Sequence, residues 1–140
     1  MYLLDSNVWL ALAFTSHVHH ADAKRWFDAV DGGACLFCRV SQMGFLRLST
    51  NPKAFPLDAV NLDRAWEMYD QILADPRIGF VDEPAGLMPL WRDRTRGATF
   101  SPKLWNDAYL AAFAESAGLE MVTFDLGFRK LGLTKLTVLP

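Results

Sequence analysis

Short runs of consecutive apolar residues alternate along this chain with longer stretches in which apolar residues recur every three or four positions. The runs Met1–Leu4, Ala34–Cys38, Ile78–Val81, Met121–Phe124 and Thr137–Leu139 have the length of buried strands. Asp5-Ser6-Asn7 is placed to cap a helix carrying Val8, Trp9, Leu12 and Ala13. A second helix is predicted over His19–Val30, with Ala23, Trp26, Phe27 and Val30 on one face and Gly32-Gly33 beyond its end. Ser41–Leu48 forms a third, with Ser41 as its cap, and Asn61–Ala74 a strongly amphipathic fourth that Asp75-Pro76 stops. Glu83-Pro84 opens a helix through Leu87, Leu90 and Trp91. Ser101-Pro102 opens the last helix, which passes Asp107 and closes at Gly118.

Strands alternating with helices predict an α/β fold: a three-layer α/β/α sandwich around a mostly parallel sheet of about five strands. No linker, repeat or low-complexity tract interrupts the pattern, so residues 1–140 are expected to form a single domain. A chain of that length buries roughly two-thirds of its unfolded surface. The apolar runs are far short of a membrane span, and the opening residues lack the order of a signal peptide. A cytoplasmic protein without a membrane partner is expected.

The net charge of −2 excludes a general polycation, so any affinity for nucleic acid must be local. Arg92, Arg94, Arg96 and Lys103 against Asp93 give one segment a charge of +3, four positive minus one negative. It reads either as a solvated loop or as a guide for an RNA backbone. Cys35 and Cys38 have a redox or zinc spacing, but three residues along a strand they face opposite ways, about 10 Å apart, too far for a disulfide. They read as buried thiols. His17, His19 and His20 lie at a loop–helix junction apart from the acidic blocks and are assigned no catalytic role.

Three aspartates change the picture most. Asp5 follows the first strand, Asp125 the fourth, and Asp107 lies on the helix leading into that fourth strand. Parallel strands deliver Asp5 and Asp125 to the same sheet edge, where open α/β sheets bind ligands. Each has an innocent reading: Asp5 as a helix cap, Asp125 as a turn residue, Asp107 as a favourable charge near a helix start. Together they would repel one another unless a hard cation shared them, and an all-oxygen set suits Mg²⁺ or Mn²⁺.

Four blocks carry a family resemblance: Leu4-Asp5-Ser6-Asn7-Val8-Trp9, Ser41-Gln42-Met43-Gly44-Phe45-Leu46-Arg47-Leu48, Asn106-Asp107-Ala108-Tyr109-Leu110-Ala111-Ala112, and Val122-Thr123-Phe124-Asp125-Leu126-Gly127-Phe128. In this order the chain resembles the PIN-domain ribonucleases, and within them the VapC-type toxins of bacterial toxin–antitoxin pairs. The resemblance implies a Mg²⁺- or Mn²⁺-dependent endoribonuclease whose metal ligands match Asp5, Asp107 and Asp125. It also implies an RNA substrate, a cognate antitoxin and a homodimer; in-line hydrolysis by a metal-activated water would be expected to leave 5′-phosphate and 3′-hydroxyl ends. Asn7 and Gln42 would stand in an outer shell. The family often has a glutamate where this chain has Gln42, which removes one charge and leaves open whether one ion binds or two. Two rivals follow: a catalytically weak PIN module that binds RNA or protein without cleaving, and a phosphotransferase using Asp5 as nucleophile. The second would need an aspartate two residues on, where Asn7 stands.

Overall fold

The computed structural model describes residues 1–140. Its five strands are β1 (Tyr2–Leu4), β2 (Cys35–Phe37), β3 (Ile78–Phe80), β4 (Glu120–Thr123) and β5 (Leu136–Val138). They lie in the order β3-β2-β1-β4-β5, every neighbouring pair parallel. Six helices accompany them: α1 (Ser6–Ala13), α2 (His20–Ala29), α3 (Arg39–Ser49), α4 (Leu62–Leu73), α5 (Leu87–Arg94) and α6 (Leu104–Ser116). A 3-10 turn covers Leu126–Lys130 between β4 and β5.

Alternation along each strand sends successive side chains to opposite faces, and the two faces have separate cores. Leu4, Cys35, Phe37 and Val122 pack on one side with Val8, Trp9, Phe45 and Tyr69 from α1, α3 and α4. Leu3 and Met121 pack on the other with Leu87, Leu110, Phe113 and Phe128 from α5, α6 and the 3-10 turn. Cys35 and Cys38 fall into different cores, as strand geometry requires; both are buried and free. Trp9 stacks on Phe37 with ring centroids 3.8 Å apart, tying α1 to the centre of the sheet. No helix is long and apolar enough to cross a membrane.

Three helix starts differ from the sequence expectation. α3 begins at Arg39, so Ser41 is not its cap: it sits in the first turn and accepts the Cys38 backbone N–H at 3.0 Å. Glu83-Pro84 does not open α5, because Gly86 takes a left-handed conformation (φ +84°) that holds the start back to Leu87. Ser101-Pro102 forms a turn, the Ser101 carbonyl accepting from the Leu104 N–H at 3.1 Å, and α6 follows it.

The contact between α1 and α3 is close. The Ser6 hydroxyl donates to the Ser41 carbonyl at 3.1 Å, and opposite it stands Gly44. A Cβ at Gly44 would come within 2.9 Å of the Ser6 Cβ, so only glycine lets the helices meet at this distance. That contact fixes the first turn of the helix that Asp5 precedes.

Candidate active site

Adjacent parallel strands β1 and β4, paired Leu4 to Val122, bring the chain after each to the same edge of the sheet. Asp5 remains in the ladder, its backbone N–H donating to the Val122 carbonyl at 3.0 Å. It stands at the N-cap position of α1, yet its side chain makes no capping bond. Instead Asp5 Oδ2 accepts the Thr123 hydroxyl at 2.9 Å, and the residue is only 7% exposed. A carboxylate in that setting lacks water and is costly unless partnered. Burial pushes its pKa above the usual carboxylate range, against the hydrogen bonds from Thr123 and the Ser6 backbone, and the Asp107 and Asp125 charges push it further. The three carboxylates are near enough to feel one another's charge.

Thr123 was not singled out in the sequence. Its fully buried Oγ1 donates to Asp5 and accepts the Asp125 backbone N–H at 3.0 Å, so one hydroxyl joins both strand-end acids. A polar residue closing the otherwise apolar run Met121-Val122 was the available signal.

The outer part of the site is built differently. Asp125 does act as a turn residue: its Oδ1 accepts the Gly127 N–H at 2.7 Å and caps the 3-10 turn. Its other oxygen is paired with the Lys103 ammonium, which lies 3.7 Å from Asp107 Oδ2 as well. Lys103 holds the Asp125 carboxyl below its usual range, while burial raises that of Asp107. In return Asp125 holds the lysine in its charged form more firmly.

No group of three acidic, histidine or cysteine side chains is drawn tightly enough here to enclose an ion. The donor chemistry nonetheless fits a hard divalent cation. The set is all oxygen, one member is desolvated, and a cationic group already lies between the other two.

The remaining candidates make other contacts. Gln42 is buried, but its carbonyl oxygen accepts from Arg39 Nη1 at 2.6 Å and makes no hydrogen bond to the aspartates. Asn7 is exposed on the wall of a groove of about 510 Å³ that His17, Phe55 and Asp58 also line. Arg94 is fixed to the Leu131 carbonyl at 2.8 Å, and Arg96 pairs loosely with Asp93 at 3.6 Å in open solvent. Arg92 is exposed. Lys103 stands among the acids, apart from those arginines in role. The histidines lie closer to the site than their sequence position suggested: His19 stacks on Phe124, next to Asp125, at 4.4 Å. The same loop is held by His17 Nδ1, which accepts the His19 N–H, and by His20 Nδ1 at 2.7 Å from the Ala11 carbonyl.

The model of the PIN domain matches residues 2–133. The chain belongs to the PIN-domain family. Among its PIN-domain relatives is Ribonuclease VapC41 of Mycobacterium tuberculosis, 41% identical over 99% of both chains. Ribonuclease VapC38 of the same organism is 34% identical, over 91% of this chain and 86% of that one. The fold matches that of M. tuberculosis VapC20, a sarcin–ricin loop cleaving toxin, with a TM-score of 0.68 at 18% identity over the whole of both chains. VapBC2 of Rickettsia felis, solved with a DNA fragment from its promoter, gives the same TM-score at 15% identity, over 99% of this chain and 98% of that one.

Proposed function

We propose that this protein is an endoribonuclease of the VapC kind, the toxin of a toxin–antitoxin pair, and that it works with Mg²⁺ or Mn²⁺. One observation carries the reading: acids from three separate chain regions meet at the carboxyl edge of the parallel sheet, the deepest desolvated and the outer two already sharing a cation. The relatives at 41% and 34% identity bear the name ribonuclease, which supports RNA as the substrate.

Asp5, Asp107 and Asp125 would hold the ion. Bound there, it supplies a Lewis acid for a phosphoryl oxygen and a more acidic water for phosphodiester hydrolysis. Thr123 orients Asp5 through its hydroxyl and anchors the backbone of Asp125. Asn7 and Gln42, which make no bond to the acids, would at most shape the surroundings of the ion. Arg92 and Arg96, both exposed, offer charge to the RNA backbone, while Arg94 braces α5 against the 130s loop. An antitoxin that covers the acidic edge, a homodimer and a cytoplasmic setting complete the proposal; solved relatives from Rickettsia felis and Salmonella typhimurium are VapBC assemblies.

The test is cleavage of a structured RNA by purified protein with Mg²⁺, with EDTA, and with Asp125→Asn. Cleavage that needs the metal and the aspartate is expected. Full cleavage in chelator would overturn the metal dependence, and RNA binding without cleavage under every condition would favour a non-catalytic PIN module.

A further inference from the structure

We propose that Lys103 is an internal counter-cation occupying the place a divalent ion must take between Asp107 and Asp125, so that metal binding is an exchange of one cation for another. This rests on the metal-dependent reading above and adds the step that reading lacks.

The geometry is specific. Lys103 stands at the N-cap position of α6, and its ammonium meets Asp125 at the end of β4 and Asp107 one helical turn along α6. No other cation serves these acids: Arg39 is bonded to Gln42, Arg94 to the Leu131 carbonyl, and Arg96 is paired with Asp93. The partners differ in freedom. The lysine side chain is 71% exposed, whereas those of Asp107 and Asp125 are 17% and 23% exposed. The ammonium can swing into water without unpacking anything; the carboxylates are more enclosed, and Asp125 is also held by the Gly127 N–H.

Coincident occupancy is unfavourable. A Mg²⁺ or Mn²⁺ ion bonds carboxylate oxygen at about 2.1 Å. An ammonium hydrogen-bonded to that same oxygen would lie within about 5 Å of the dication, and the two positive charges would repel each other. The lysine therefore leaves as the metal enters, and its Cα, fixed at the helix cap, keeps the freed charge at the mouth of the site.

Removing Lys103 should thus move two quantities in opposite senses. The metal-free protein loses a counter-ion and becomes less stable, while the divalent ion loses a competitor and binds more tightly. A lysine with a structural role only would lower stability without raising metal affinity, and one that only contacts RNA would change neither.

The experiment is calorimetric Mn²⁺ titration together with melting in chelator, on the whole chain, for wild type, Lys103→Gln, Lys103→Arg and the charge-matched control Lys130→Gln. Lys103→Gln should lower the Mn²⁺ Kd by about five- to tenfold and the metal-free Tm by about 2–4 °C. Lys103→Arg should stay within about twofold of wild type, since the charge is kept, and Lys130→Gln should leave both readings unchanged. Should Lys103→Gln fail to fold, wild type alone suffices: saturating Mg²⁺ should speed modification of Lys103 by an amine reagent relative to Lys130, read by mass spectrometry. Lys103→Gln binding Mn²⁺ no more tightly, or Lys103 labelling unchanged by Mg²⁺, overturns the exchange while leaving the metal reading intact. Wild type that binds no Mn²⁺ at millimolar concentration overturns the metal reading and the exchange with it.

Discussion

The inner and outer halves of the acidic edge solve different problems. Asp5 and Thr123 are buried and joined by a hydrogen bond that water cannot reach, so the inner carboxylate is held in one position at the cost of desolvation. Asp107, Asp125 and Lys103 are partly exposed and joined by ion pairs that solvent weakens and another cation can replace. Position comes from the first half and adjustable charge from the second. The proposed metal site would need both, because a wholly buried set would hold its charge too dearly and a wholly exposed one would hold no geometry.

The largest effects should come from removing the acids. Asp5→Asn, Asp107→Asn and Asp125→Asn should each lower RNA cleavage by more than about a hundredfold. Their stabilities in chelator should part company. Asp5→Asn removes a desolvated, repelled charge and should gain up to about 1 kcal/mol. Asp125→Asn leaves Lys103 short of a partner and should lose up to about 1 kcal/mol. Denaturant melts of both would break the comparison if the two shifts had the same sign.

Next in size is Thr123→Val, which leaves Asp5 without its donor and the Asp125 N–H without its acceptor. It should cost about 1–3 kcal/mol of stability and about ten- to a hundredfold in activity. Thr123→Ser, which keeps the hydroxyl, should restore most of the rate. If valine is tolerated at wild-type activity, the inner half is not what positions Asp5.

A smaller change is expected from the surface charge. Arg92→Gln with Arg96→Gln, in a cleavage-dead background, should weaken binding of all RNAs alike and flatten the logarithmic salt slope by about one to one and a half. An unchanged slope would move the RNA path elsewhere. The smallest effect should follow Gln42→Glu. The new carboxylate would pair with Arg39, which already donates to Gln42, so most of its charge is neutralised locally and Mn²⁺ affinity should shift by about twofold or less. A tenfold gain would place Gln42 inside the metal site after all.

The strands and the sheet edge were legible because alternation and apolar runs report directly on which face is buried, as Leu3 and Leu4 show by entering opposite cores. Asp5 and Asp125 were legible for the same reason: a polar residue directly beyond a buried run must emerge where the strand ends. Helix starts were less so. Ser41 and Glu83-Pro84 are good capping chemistry, but Cys38 and the left-handed Gly86 decide where the backbone turns, and those depend on tertiary placement. The partners within the site were not legible either. That the exposed Lys103 reaches back to Asp125 and that His19 reaches Phe124 are outcomes of packing between elements separated in the chain, and that Gln42 turns to Arg39 is a rotamer choice within α3.

Gly44 carries no charge, binds nothing and touches none of the acids, yet it works as a spacer. Because α3 rests on Ser6 with no side chain between them, the residue next to Asp5 is located by an absent methyl group. Adding that methyl would act as a wedge, lifting the first turn of α1 from its seat and tilting the inner carboxylate away from its two fellows. The injury would be one of alignment, with every acid still present, and a sequence inspected only for its acids would give no sign of it.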